Sequence, residues 1–167
     1  SGNAAEPLAA VADRLFFEID RDNFDARMAA ISPRLAFAVP NALTGKGDLQ
    51  VEIAFTCMAD FSPAAVARQV EPLRTLLEAR RQHADGGDEG GAIAETIAEI
   101  DRQVSQQLRP ILHTGDFQRL EATWRGLHHL VSHGETDETL RIKVLNISKS
   151  DLARALAKFK GASWDHG

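Results

Sequence analysis

The sequence predicts an α+β fold: a small antiparallel or mixed sheet of about three strands, layered with amphipathic helices that include a long helical hairpin. Short segments that alternate apolar and polar residues predict strands with one buried face. Longer segments, in which apolar residues recur every three or four positions, predict helices that bury one side. A length of 167 residues suits one domain, or two small interlocked ones, with a real hydrophobic core.

The first two long strands are predicted to form a hairpin. A short helix is expected to end at Pro33, because proline cannot continue helical hydrogen bonding. Apolar residues alternate along 34–39 and again along 49–55, and the turn between them holds Gly45 and Gly47, which tolerate positive φ. A two-stranded hairpin is marginal in water by itself, so one of its faces must be covered.

Two helices are expected to supply this cover. Ser62 and Pro63 are typical of a helix start, and Pro72 is expected to kink or divide the helix that follows, near 68–71. A second and longer stripe of apolar residues runs along 93–111. Both stripes are narrow, as in a two-helix seam, so the two helices could pack as an antiparallel hairpin.

The last predicted elements are a helix, a strand and a helix. A helix with Trp124 on its apolar stripe is followed by a strand at 140–147. The final helix carries an apolar face that consists of Leu152, Leu156 and Phe159. The strand at 140–147 is expected to add to the hairpin, because this arrangement gives one sheet that the helices can cover.

A glycine-rich and acidic segment, HADGGDEGGA at 83–92, separates the two halves of this pattern. It lacks large apolar residues, and its composition is typical of a flexible linker. We therefore predict two parts, 1–84 and 93–167, joined by a linker at 85–92. Since neither part has enough strands to bury a sheet of its own, the two are expected to share one core.

The composition excludes several classes of function. A net charge of −5 without a basic excess argues against nucleic acid as a partner. Cys57 is the only cysteine, so the chain cannot form an internal disulfide. No apolar run reaches the roughly 18–20 residues that span a bilayer, and no signal-peptide pattern opens the chain. These observations indicate a protein of the cytoplasm without a membrane partner.

Candidate sites for catalysis or metal binding are weak. His129 and His133 share a helix face at a spacing used for zinc, but HHLVSH lacks the glutamate of H-E-x-x-H and a clear third ligand. The segment Asp20–Asp25 lacks the glycine and glutamate of a calcium loop, and Cys57 has no histidine partner at a readable spacing. We expect no catalytic residue, no cofactor and no metal; a histidine-site metalloenzyme is kept as a remote alternative.

Long segments of the chain resemble two subunits of one assembly. FFEIDRDNFDARMAAISPRLAFAVPN, LQVEIAF and MADFSPAAVARQVEPLRTLLEARRQ resemble the C-terminal part of the small subunit (TssB, or VipA) of the type VI secretion contractile sheath. IAEIDRQVSQQLRPILHTGDFQRLEATWRGLHHLV and LRIKVLNISKSDLARAL resemble an early part of the large subunit (TssC, or VipB). The resemblance covers about 13–83 and 93–160, so the linker is interpreted as a seam between subunits, joined by nature or by engineering.

The resemblance implies a structural protein and not an enzyme. The chain is expected to be a fused fragment that forms the small/large subunit heterodimer core of a sheath around the Hcp tube. Other sheath subunits are its expected partners. ClpV is expected to bind the full assembly rather than this chain, because the start of the large subunit, which the family offers to ClpV, is not found here. The alternative is a freestanding adaptor or regulator that binds the sheath.

The core predicted between the two parts is also the predicted subunit interface. Apolar stripes of the two long helices are expected to pack against each other there, beside a tryptophan-bearing helix and the third strand. The predicted residues are Val66, Val70, Leu73, Leu77, Ile97, Ile100, Val104, Leu108, Trp124, Leu127, Ile142 and Val144.

Overall fold

The computed structural model describes residues 10–85, 91–134 and 140–157, and the α+β class is confirmed. Most of the predicted linker, 86–90, and Phe159 lie outside the described residues. The strands are β1 (Phe17–Ile19), β2 (Arg34–Pro40), β3 (Asp48–Ala54) and β4 (Ile142–Val144). The helices are α1 (Phe24–Ile31), α2 (Pro63–Gln69), α3 (Glu71–Asp85), α4 (Gly91–Leu112), α5 (Gly115–His133) and α6 (Lys149–Ala157), with short 3-10 turns at Val11–Asp13 and Met58–Phe61.

The predicted hairpin is confirmed. β2 and β3 pair antiparallel, with Phe37 opposite Val51, and side chains such as Val51 and Ile53 bury one face of the pair. Gly45 and Gly47 have φ angles of 67° and 68°, which place them in the left-handed region that favours glycine. The alternation of the sequence therefore identified both the strands and the buried face.

The division of the first long helix is also confirmed. α2 begins at Pro63, where the Ser62 hydroxyl accepts a hydrogen bond from the N–H of Ala65 at 3.3 Å. The helix is interrupted at Val70, whose backbone is extended, and α3 begins at the next residue. Pro72 causes the interruption, because it has no N–H to donate and its ring would collide with the carbonyl four residues earlier.

The predicted position of the last strand is wrong. β4 does not add to the hairpin; it pairs antiparallel with β1, a strand that the sequence pattern did not predict, so the fold has two separate two-stranded sheets among the described residues. At the end of β3 the carboxamide of Gln69 bonds the N–H and the C=O of Ala54, at 3.0 and 2.9 Å, and occupies that part of the hairpin edge. β1 instead offers β4 two apolar partners, and its Glu18 lies opposite the positively charged Lys143. The pairs are Phe17–Val144, Glu18–Lys143 and Ile19–Ile142.

The two sheets and the helices enclose one hydrophobic core. α3 packs along α4, as expected for the helical hairpin, and an ion pair between Arg80 and Asp101 joins the two helices at 2.6 Å. Core side chains come both from elements before the predicted linker, such as Phe55 and Leu73, and from elements after it, such as Phe117. The described core therefore contains residues from both sides of the predicted linker, and the division into two parts that share it stays a prediction.

Some apolar residues stay on the surface. Leu152 and Leu156, which were expected to form the apolar face of the last helix, are each 42% exposed. None of the helices in the described part of the chain is long and apolar enough to cross a membrane.

Candidate subunit-interface core

Phe55, Phe61 and Phe117 form an aromatic cluster within the core. The rings of Phe55 and Phe61 are stacked, with centroids 4.3 Å apart, and Phe117 meets both rings edge-on at about 6 Å. All three side chains are at most 2% exposed. The first two belong to the end of β3 and the turn that follows it, and Phe117 belongs to the start of α5, so this cluster joins distant segments of the chain.

Asp60 fixes the turn that presents Phe61 to this cluster. Its Oδ2 accepts hydrogen bonds from the N–H of Thr56 at 2.6 Å, from the hydroxyl of Thr56 at 2.8 Å and from the N–H of Cys57 at 3.1 Å. Burial alone would raise the pKa of the Asp60 carboxyl, but these hydrogen bonds outweigh it and hold the pKa below its ordinary value. The ionised carboxylate is therefore part of the folded geometry of the turn.

Trp124 is a second aromatic residue of α5 that packs in the core. The ring of Phe24, from α1, meets the ring of Trp124, from α5, edge-on at 6.0 Å. His128, one turn later on α5, makes a similar edge contact with Phe24 at 4.9 Å while its own side chain stays exposed. The helix that carries Trp124 thus contacts α1 and, through Phe117, also contributes to the aromatic cluster.

A polar contact closes the fold beside β1 and β4. The Arg14 guanidinium bonds the carboxylate of Asp151 at 3.1 Å and the carbonyl of Asn146 at 3.4 Å. The hydrogen bond with Ser148, and then the nearby Arg14 and Arg154, hold the pKa of Asp151 below its ordinary value against an opposing effect of burial. The segment before β1 is thereby joined to the start of α6.

Gln107 on α4 is a core residue that the sequence interpretation missed. Its side chain is fully buried and bonds two backbone groups at the end of β2. Its carboxamide Oε1 accepts from the N–H of Ala42 at 2.7 Å, and its Nε2 donates to the carbonyl of Pro40 at 3.1 Å. The only sequence signal was its place beside Val104 and Leu108 on the apolar stripe, which a polar residue normally avoids.

Most of the predicted interface residues lie in the core. Six of them are buried: Val66, Val70, Leu73, Ile100, Val104 and Trp124. Five more are partly buried and pack against the core: Leu77, Leu108, Leu127, Ile142 and Val144. Ile97 is only partly buried, nearer the start of α4. Their role as an interface between subunits stays a prediction.

The candidate metal residues form local contacts. The rings of His129 and His133 lie 4.1 Å apart, and His133 Nδ1 is bonded to the carbonyl of His129 at 2.9 Å. In the described residues, no group of three or more histidine, cysteine or carboxylate side chains is placed to hold a metal ion. Asp20 accepts hydrogen bonds from the N–H groups of Asp22 and Asn23, as expected for a turn that leads into a helix.

Comparison with known families identifies the class of protein. The sequence model of a family described as "Type VI secretion system, VipA" matches residues 1–108, and that of VipB, described as "tail sheath N-terminal domain", matches residues 94–166. The chain therefore belongs to the type VI secretion sheath proteins, with VipA-type sequence followed by the VipB N-terminal domain. The matched families are structural sheath proteins.

Two relatives in sequence agree with this assignment. The chain is 64% identical over 85 residues to the sheath protein TssB1 of Pseudomonas aeruginosa, an alignment that covers 51% of this chain and 49% of TssB1. It is 41% identical over 120 residues to TssC1 of the same organism, covering 68% of this chain and 24% of TssC1. A solved structure, the VipA-N2/VipB contracted sheath, is similar with a TM-score of 0.45 and 34% identity, over 50% of this chain and 66% of that one. The chain thus spans about half the length of TssB1 and a quarter of TssC1.

Proposed function

We propose that this chain is a structural component of the type VI secretion contractile sheath, in which it forms the core between the small and the large subunit. The observation that carries the proposal is the aromatic cluster, in which Phe117 packs against Phe55 and Phe61. The segment that matches the VipA family supplies two of these rings, and the segment that matches the VipB N-terminal domain supplies the third. A protein that builds a sheath from two subunit types needs such a core to hold one to the other.

The proposed organisation has a small-subunit part at 1–84, a linker at 85–92 and a large-subunit part at 93–167. The two family matches overlap over 94–108, within α4, which begins close to the end of the proposed linker. Pairing of β1 with β4 supports a core to which both parts contribute. The twelve predicted residues, from Val66 to Val144, are proposed as the packing surfaces of the two parts.

The proposed role is mechanical, without catalysis, cofactor or metal. Family resemblance supplies the remaining partners: other TssB and TssC subunits, and the Hcp tube that the complete sheath encloses. The absence of a basic excess and the net charge of −5 support a partner that is protein rather than nucleic acid. The proposed location is the cytoplasm, where the sheath is expected to assemble.

Co-assembly with the relatives tests this function. Tagged chain is added to TssB1 and TssC1 of Pseudomonas aeruginosa either before they assemble or after sheath tubes have formed, and the tubes are sedimented and imaged. A building component is expected to enter the tubes, or to shorten them, only when it is present during assembly. A Phe55→Asp variant, in which a charge disrupts the core, serves as the control and should stay in the supernatant.

Two other outcomes would contradict the proposal. Equal binding to preformed and to assembling tubes would identify an adaptor that docks on the finished surface. No association with either, by a chain that is folded and monomeric, would exclude a role in this sheath.

A further inference from the structure

Gln107 is the one buried polar side chain among the residues whose burial the structure describes. It lies on the face of α4 that also carries Val104 and Ile111, both buried. A buried carboxamide is costly unless each of its groups is bonded, so its presence on an apolar stripe needs a physical reason.

The reason lies in the turn of the hairpin. Within that turn, the N–H of Asn41 bonds the carbonyl of Gly47 at 3.0 Å, and the side chain of Asn41 accepts from the N–H groups of Leu43 and Thr44. The N–H of Ala42 is instead bonded by the carboxamide of Gln107, which also bonds the carbonyl of Pro40. Gln107 therefore supplies both a donor and an acceptor to the hairpin, as a neighbouring strand would.

Apolar packing alone specifies the position of α4 poorly. Its apolar residues recur every three or four positions, so a helix displaced by one or two turns would present a similar stripe to the same neighbours. A displacement by three residues would bring Val104 to the hairpin, and one by seven would bring Ile100. Either would place an apolar side chain where the carboxamide now bonds the N–H of Ala42 and the carbonyl of Pro40, so that both of these partly buried hydrogen bonds would be lost.

A displacement by four residues is opposed in another way. It would bring Gln103 to the hairpin and would move Gln107 into the place of Ile111, which is fully buried among apolar side chains.

We propose that Gln107 is the residue that selects the position of α4 on the hairpin. Through this choice it sets the alignment of the helices with the strands in the core, and the inference stands independently of the sheath function.

The test measures the position of α4 directly. Nitroxide labels are attached to Thr44→Cys, in the exposed turn, and Ser105→Cys, on the exposed side of α4, in a chain with Cys57→Ser. Pulsed electron resonance is expected to give one narrow distance distribution. With Gln107→Met, which keeps the length of the side chain but removes its hydrogen bonds, a second population should appear. Its distance should differ from the first by up to about 4.5–6 Å, because three or four helical residues rise by that length along the helix axis.

The matched control is Gln106→Met, the same substitution at the exposed neighbouring position on α4. It should leave the distribution unchanged. Amide exchange provides a second readout: the Ala42 N–H should exchange about 10- to 100-fold faster in the Gln107→Met chain, whereas the Gly45 N–H, which is bonded inside the hairpin, should not change. A single unshifted distance in Gln107→Met would overturn the proposal, even if the chain were less stable, because Gln107 would then stabilise the core without selecting its alignment.

A Gln107→Glu variant repeats the test without loss of shape. When ionised, its carboxylate can accept from Ala42 but cannot donate to the carbonyl of Pro40; when protonated, it can do both. The second population is therefore expected near pH 7 and should disappear toward about pH 4.5, since burial raises the pKa of a carboxyl group. The same distribution at both pH values would contradict the proposal, and this measurement decides the question if Gln107→Met does not fold.

Discussion

Replacement of Phe117 by alanine is the most direct test of the shared core. The side chain is 1% exposed and contacts two aromatic rings that lie more than fifty positions earlier in the sequence. Removal of a buried phenylalanine costs about 3–5 kcal/mol of unfolding free energy, because apolar contact is lost and a cavity remains. We expect a loss in this range, which is a large part of the stability of a chain of this size.

Urea unfolding followed by tryptophan fluorescence and by circular dichroism measures this loss. Because the core is continuous, both signals should shift together in one transition. A double-mutant cycle with Phe61→Ala should give a coupling of about 0.5–1.5 kcal/mol from the ring pair. Leu130→Ala is the control, since Leu130 is 56% exposed and its loss should cost less than about 0.5 kcal/mol.

Two results would refute the reasoning. A cost below about 1 kcal/mol for Phe117→Ala would mean that the ring is not buried in a packed core. Two separate transitions, of which only the later one responds to the substitution, would mean that the segments before and after the predicted linker fold independently.

Three further predictions concern other parts of the fold. Trp124→Ala should cost about 3–5 kcal/mol in urea unfolding, because the ring is buried against Phe24, and a cost below about 1 kcal/mol would place it on the surface. Ser62→Ala should cost about 1 kcal/mol through loss of the helix cap, whereas Ser62→Asp should retain most of the stability. The lowered pKa of Asp60 means that its contribution to stability is present above the ordinary value, near 4, and is lost as the pH falls through the lower folded value. The unfolding free energy of Asp60→Asn should therefore decline less between about pH 5 and 2 than that of the parent chain, and an equal decline would contradict this assignment.

The sequence pattern predicted the elements better than their pairing. Alternation along 34–39 and 49–55 identified the hairpin, and Pro72 predicted the break that the structure has at Val70, because both signals are local. The partner of β4 was predicted wrongly. β1 has only three residues, too few for a period of two to be recognised, and the apolar pattern of β4 fits the edge of either sheet.

In the candidate interface core, the sequence predicted the buried apolar residues but missed the buried polar residue. Burial of Val66, Leu73 and Trp124 follows from helical periodicity, which depends only on residue type and spacing. The role of Gln107 could not be inferred from residue type or from spacing. This role depends on two backbone groups that lie more than sixty positions earlier in the sequence. Polar residues that satisfy distant backbone groups carry no periodic signal, so three-dimensional coordinates are needed to find them.

The small β1–β4 sheet determines how the fold responds to mechanical force. Because Phe17 lies opposite Val144 and the strands are antiparallel, the segment that precedes β1 and the segment that follows β4 leave the sheet at the same end. Tension between these two segments acts first on the contacts of Arg14 with Asn146 and Asp151, which join them. Once these contacts break, the strands peel apart, and the pairs open in sequence from Phe17–Val144 to Ile19–Ile142 instead of bearing the load at once.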